Sequence, residues 1–248
     1  MAAEQQQAGG SVWTRPQRPR REQPALSREQ IVAAAMELLD AEGIDALSMR
    51  KLGTRLNAGA TSMYSHVANK DELIELVVDE VYGEIATQDP AEASDWRTEV
   101  TTVAQSLRQA FLRHPWIASV LGQVGMSSLG PNLLRLSEQM IGALETAGFS
   151  LAEAERGMNT VSSYVVGLAS TEAAWLTVLA RSGQSQQEWV DAFWPAALQA
   201  VQAFPRLSRL YAAQSEGFDV DSNRVDSFSD GLECILDGLE ARLRRAAE

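Results

Sequence analysis

Apolar residues recur along this chain every three or four positions, the spacing of one face of an α-helix. Ile31, Ala34, Ala35, Leu38 and Leu39 form the first such stripe. Ser27 opens it with Gln30 three residues on, a capping-box spacing, and Gly43 supplies the stop. A second helix, capped by Ser48, turns Leu52 and Leu56 inward; Asn57 and Gly59 follow as turn residues tolerant of left-handed backbone. A short third helix is expected over 60–66. A fourth starts after Asn69, where Glu72 completes a second capping box and Leu73, Leu76 and Val77 point inward. Further helices are expected over 95–113, 116–122, 129–147, 151–182, 186–203 and 225–246. Their breaks fall at Pro90, Pro115, Gly130-Pro131, Gly148, Gly183, Pro205 and the polar run 216–223. No alternating strand pattern and no internal repeat is found, so the expected class is all-α.

Composition narrows this further. The 248 residues, 45% of them hydrophobic, suffice for one large domain or two smaller ones with real cores. No stretch of 18 or more apolar residues exists. The best candidate, 165–180, is broken by Glu172, so no transmembrane helix is expected. The start of the chain has no apolar core of the kind a secretory signal needs, and a cytoplasmic protein is expected. The single Cys234 excludes an intrachain disulfide and is expected as a small buried hydrophobe on the last helix. Residues 1–26, rich in Gln, Pro, Gly and Arg, are read as a disordered basic arm. Arg15, Arg18, Arg20 and Arg21 leave open a solvated tail or an arm that follows DNA phosphates.

Charge is unevenly placed. The net charge is -12, yet residues 1–72 hold nine basic and nine acidic side chains, and the whole excess lies in 73–248. Both lysines, Lys51 and Lys70, sit with Arg50 and Arg55 in the segment 47–70, which contains no acid. An acidic body repels nucleic acid, while a local basic face can still dock on it. The two short helices around Asn57-Ala58-Gly59 have the spacing of a helix-turn-helix, which lowers its second helix into the major groove. Ala60, Thr61 and Ser62 are small or polar enough to approach base edges. Ser48, Arg50, Tyr64, Ser65, His66 and Lys70 can donate to phosphate oxygens. The expected plan is a DNA-binding domain over 27–72 and a larger helical domain with a different job over 73–248.

Residues 27–86 resemble the DNA-binding domain of the tetracycline-repressor family. The matching pieces are Glu42-Gly43-Ile44, Leu47-Ser48-Met49-Arg50-Lys51-Leu52, Met63-Tyr64-Ser65-His66-Val67 and Asn69-Lys70-Asp71-Glu72-Leu73. Ala147-Gly148-Phe149-Ser150-Leu151, followed by a long helix with Gly167, is similar to the ligand-binding domain of the tetracycline repressors. The resemblance implies an all-helical homodimeric repressor of a near-palindromic operator, whose C-terminal domain binds a small molecule and releases the DNA. It implies that 73–248 is this effector-binding and dimerisation domain. Those repressors hold a magnesium–tetracycline complex with a histidine upstream of this segment. Here the region reads Gln123-Val124-Gly125-Met126, and Met140 stands near a position that grips the drug. Neither tetracycline nor a metal-bound ligand is therefore expected, and no cofactor is implied.

A largely apolar effector would be lined by Phe111, Trp116, Met126, Met140, Met158, Ser162 and Trp175, with Asn159 and Tyr164 as polar anchors. His114 is expected to cap a helix rather than to hold a metal, since no second His or Cys lies near it. The helices 151–182 and 225–246 are the natural dimer pair. The last carries Val225, Phe228, Leu232, Ile235, Leu236, Leu239 and Leu243. A transcriptional activator of the same fold remains open at this point. An enzyme with a DNA-binding head has little support, because no nucleophile elbow, phosphate loop or paired histidine ligands are present.

Overall fold

The structure, a computed structural model, describes residues 26–86, 95–124, 129–216 and 220–246. Among them are eleven α-helices, one short 3₁₀ turn and no strand. The expectations for the arm and for Met126 fall outside the described residues, and of Ala60 only the backbone is described.

Helix α1 (Arg28–Glu42) starts where the capping box places it. The Ser27 hydroxyl accepts the Gln30 N–H at 3.2 Å, and the Gln30 side chain accepts the Ser27 N–H at 3.0 Å. The Ser27 hydroxyl, acting with the helix-end amides, also holds the Glu29 carboxyl below its ordinary range. Gly43 ends α1 at φ 78°, a backbone that a Cβ would strain, and a 3₁₀ turn (Ile44–Ala46) leads on. Helix α2 (Met49–Arg55) is capped by Ser48, which accepts the Lys51 N–H at 3.2 Å. Of the two turn residues, only Asn57 is left-handed, at φ 51°. Gly59 sits in extended backbone at φ -71° as the N-cap of the next helix. Helix α3 (Ala60–Tyr64) is two residues shorter than the pattern suggested.

Helix α4 (Lys70–Gly83) is capped by Asn69, which accepts the Glu72 N–H at 2.8 Å. The second capping box is not closed as expected, because Glu72 reaches past Asn69 to accept the Ala68 N–H at 2.6 Å. Leu38, Leu39, Leu47, Leu52, Met63, Val67 and Leu73 close a small core beneath α2 and α3. Farther along, α4 packs against α6 and α7, so one continuous helix belongs to both the head and the body.

The body consists of α5 (Trp96–Arg113), α6 (Ile117–Val124), α7 (Pro131–Thr146), α8 (Leu151–Ser182), α9 (Gln186–Ala200), α10 (Pro205–Ser215) and α11 (Val220–Ala246). Helix α8 is its spine, flanked by α5, α6, α7 and α11. Leu107, Phe111, Leu144, Val161, Val165, Leu232 and Leu236 are buried there, and each such side chain contributes roughly 1.5–3 kcal/mol on burial. By length and composition α8 could cross a bilayer. In this fold it serves as a packing helix and carries a buried acid. Glu172 accepts from Arg108 of α5 at 2.9 and 2.8 Å, and the Arg108 guanidinium lies 5.0 Å from the Phe228 ring of α11.

Three differences from the sequence pattern stand out, and two of them have a plain physical cause. Helix α10 was not expected, because Pro205 reads as a breaker. It occupies the first turn instead, where proline has no amide hydrogen to lose. Helix α11 begins at Val220, five residues earlier than the stripe indicated, and Val225 within it is exposed. Cys234 is exposed rather than buried. The inward stripe of α11 is Phe228, Leu232, Leu236 and Leu239, and a residue two positions after Leu232 falls on the opposite side.

Candidate nucleic-acid interface

The head presents α3 with little covering it. Thr61 and Ser62 are exposed, and Tyr64, a large apolar ring, is 52% exposed. Met63 between them is fully buried and fixes the rotation of the helix. Ser48 and Arg50 open α2 beside it, and a shallow hollow lined by Met49, Arg50, Thr54 and Tyr64 separates the two helices. Lys70 lies exposed at the start of α4. The Ser65 hydroxyl is exposed but donates to the Ser62 carbonyl at 2.8 Å, and His66 is half-buried with its carbonyl accepting from Arg28 at 3.4 Å. Seven of the nine expected contact residues thus have exposed side chains around α3; His66 is half-buried, and the Ala60 side chain is not described.

The four cations of the 47–70 segment divide in a way the sequence does not display. Lys51 pairs with Glu42, and Arg55 pairs with Glu37 at 2.6 Å, both acids lying on α1. Among the described residues no carboxylate is paired with Arg50 or Lys70. These two remain available to phosphate, while the other two fasten α2 to α1.

The expected effector residues are divided between the core and the surface of the body. Phe111, Trp116 and Met140 lie in the continuous core, Met158 and Ser162 are half-buried, and Asn159 is exposed on α8. Asn159 is therefore not a buried anchor. Tyr164 is not one either, since its hydroxyl donates to the carbonyls of Ser227 and Phe228 at 3.1 and 3.0 Å and ties α8 to α11. Trp175 joins a run of edge and stacked contacts through Trp189, Phe193, Trp194 and Tyr211, with centroids 4.8–5.9 Å apart. The sequence reading missed this run because its members meet across α8, α9 and α10, and the last of these helices was not anticipated.

Two polar junctions connect head and body. Asp79 of α4, 8% exposed, accepts the N–H groups of Asn132 and Leu133 at 3.1 Å and the Asn132 side-chain amide at 3.1 Å. It thereby caps α7, whose own N-cap, Gly130, has no side chain to offer. Burial, with the Asp79 charge nearby, pushes the Tyr82 phenol above its ordinary range. The second junction is His114. It does end α5, as expected, but it is buried with both ring nitrogens facing acids. Nδ1 lies 2.7 Å from Asp40 of α1, and Nε2 lies 3.1 Å from Glu84 at the end of α4. No local sequence signal marks that contact, because its partners lie 74 and 30 residues away.

This arrangement defines an all-helical protein with a helix-turn-helix head, the architecture of a transcriptional regulator. The chain matches the family model for bacterial regulatory proteins of the tetR family over residues 31–77. It matches the tetracyclin repressor-like C-terminal domain over 89–243. It belongs to the tetracycline-repressor family. An HTH-type transcriptional regulator of Saccharopolyspora erythraea is 42% identical over 68% of this chain and 70% of its own. The HTH-type transcriptional repressor DrrR1 of Streptomyces coeruleorubidus is 30% identical over 92% of this chain and 83% of its own. Among solved structures, the Streptomyces coelicolor TetR family protein ActR in complex with actinorhodin superposes with a TM-score of 0.73. It is 33% identical and covers 88% of this chain and 97% of its own.

Proposed function

We propose that this protein is a homodimeric repressor, acting in the cytoplasm, that binds a near-palindromic duplex operator and is released by a small, largely apolar effector. The observation that carries the reading is the bare α3 face, with Thr61 and Ser62 exposed and Arg50 and Lys70 left unneutralised on either side. Ala60, Thr61 and Ser62 would meet base edges, while Ser48, Arg50, Tyr64, Ser65, His66 and Lys70 hold the backbone. The 27–72 segment is the DNA-binding unit and 73–248 the effector and dimer unit. Pairing of α8 and α11 across a two-fold axis would set two α3 helices about 34–36 Å apart, one turn of DNA. ActR holding actinorhodin, and the repressor named among the relatives, support the ligand-released repressor over an activator or an enzyme.

Selection of genomic fragments by the purified full-length protein tests this. Enrichment of a short inverted repeat, bound by a dimer, is expected; a monomer with no enriched fragment would refute it. On the selected duplex, Thr61→Ala and Ser62→Ala are expected to change which base substitutions are tolerated, by about 1–3 kcal/mol at one position, more than they change overall affinity. A panel of single-base variants reads this, and an unchanged ranking would remove both residues from the reading edge.

A further inference from the structure

We infer that Asp40, His114 and Glu84 form a charged joint that fixes the angle of the helix-turn-helix head against the body. The inference rests on the DNA-binding reading only for its consequence; the joint itself is a matter of geometry. Three separate parts of the fold converge on one buried imidazole. Asp40 comes from α1, beneath α2 and α3; Glu84 from the end of α4; and His114 from the corner between α5 and α6. The His114 side chain is only 5% exposed. Trp116, also buried, adds a second link by donating its indole N–H to the same Asp40 oxygen at 2.7 Å. Arg113 pairs with Glu84 from the outer side. A carboxylate only accepts hydrogen bonds, so both contacts are filled together when each ring nitrogen carries a hydrogen. The imidazole thus bridges two carboxylates that belong to different parts of the fold.

An apolar contact would hold the same surfaces together at least as well, because buried charge is costly to desolvate. A charged contact offers direction: both bonds hold only at one mutual orientation of α1, α4 and the α5–α6 corner. Helix α6 begins three residues after His114 and packs against α4 and α8.

The test is a spin-label distance measurement in full-length protein with Cys234→Ser, carrying labels at Thr54→Cys on α2 and Glu145→Cys on α7. Labelled copies are diluted with unlabelled ones so that the distance lies within one chain. A narrow distribution is expected in this background, and a broadened, shifted one after Asp40→Asn or His114→Gln. Amide-exchange protection within α1–α3 and within α5 and α8 should be retained. Glu84→Gln, which would weaken the longer contact to Nε2 at 3.1 Å, is the third variant and should also broaden the distribution. Glu37→Gln, which frees Arg55 inside the head, should leave it unchanged. Distributions that stay narrow in Asp40→Asn and His114→Gln would overturn the joint, as would broadening by Glu37→Gln alone. Where the protein selects an operator, the first two variants should weaken binding about tenfold or more. Failure to select DNA, with broadening observed, would sink the repressor reading and leave the joint standing.

Discussion

Replacing Glu172 with alanine is expected to lower the unfolding free energy by about 3–5 kcal/mol, as much as truncating a large buried apolar side chain. The side chains of Glu172 and Arg108 are only 7% and 13% exposed, and they form a two-bond pair between α8 and α5. Removing the acid strands a largely buried guanidinium over the Phe228 ring without its carboxylate. The pair itself is a different matter. Arg108→Met combined with Glu172→Leu should cost less than Glu172→Ala alone, because the guanidinium is removed together with its acid. Urea unfolding followed by tryptophan fluorescence reads both variants. A loss below about 1 kcal/mol for Glu172→Ala would place the pair in the class of surface ion pairs.

The second large effect is expected at Gly130. A Cβ there would stand 2.1 Å from Asp79 Oδ1 and 2.7 Å from Asp79 Cβ, although the backbone, at φ -62°, would accept alanine. The carboxylate must therefore leave the start of α7, and the N–H groups of Asn132 and Leu133 lose their acceptor. Gly130→Ala should cost about 1–3 kcal/mol, and Asp79→Ala a similar amount, since both break the same cap. The double variant should lose no more than either single one. The midpoint of urea unfolding, at unchanged m-value, is the measurement. Additive losses would show that the two residues act separately.

The fold was legible wherever a local rule decides the structure. Ser27, Ser48 and Asn69 cap helices as their positions indicate, and Gly43 and Asn57 take the left-handed backbone their chemistry permits. The heptad-like stripe of α11 placed Leu232 and Leu236 inside. What remained hidden depends on partners far along the chain. The segment 47–70 shows four cations, but Glu42 and Glu37, which neutralise two of them, lie on another helix. His114 reads as a helix end because Asp40 and Glu84 reach it only in three dimensions. Pro205 misled for a simpler reason: proline both stops and starts helices, and the choice depends on the amides around it. The effector residues were chosen for chemistry alone, and residues such as Phe111 and Met140 serve a core as well as a pocket.

Salt dependence of operator binding tests the DNA-binding claim most directly. Each phosphate contact contributes about 0.9 to the slope of log affinity against log salt on duplex DNA. With the selected duplex titrated across a range of salt, Arg50→Ala/Lys70→Ala should bind more weakly. Its slope should be shallower by about two per protomer, with a matching loss on unrelated duplexes. Lines that coincide with those of the unaltered protein in both affinity and slope would contradict the assignment of this face to DNA.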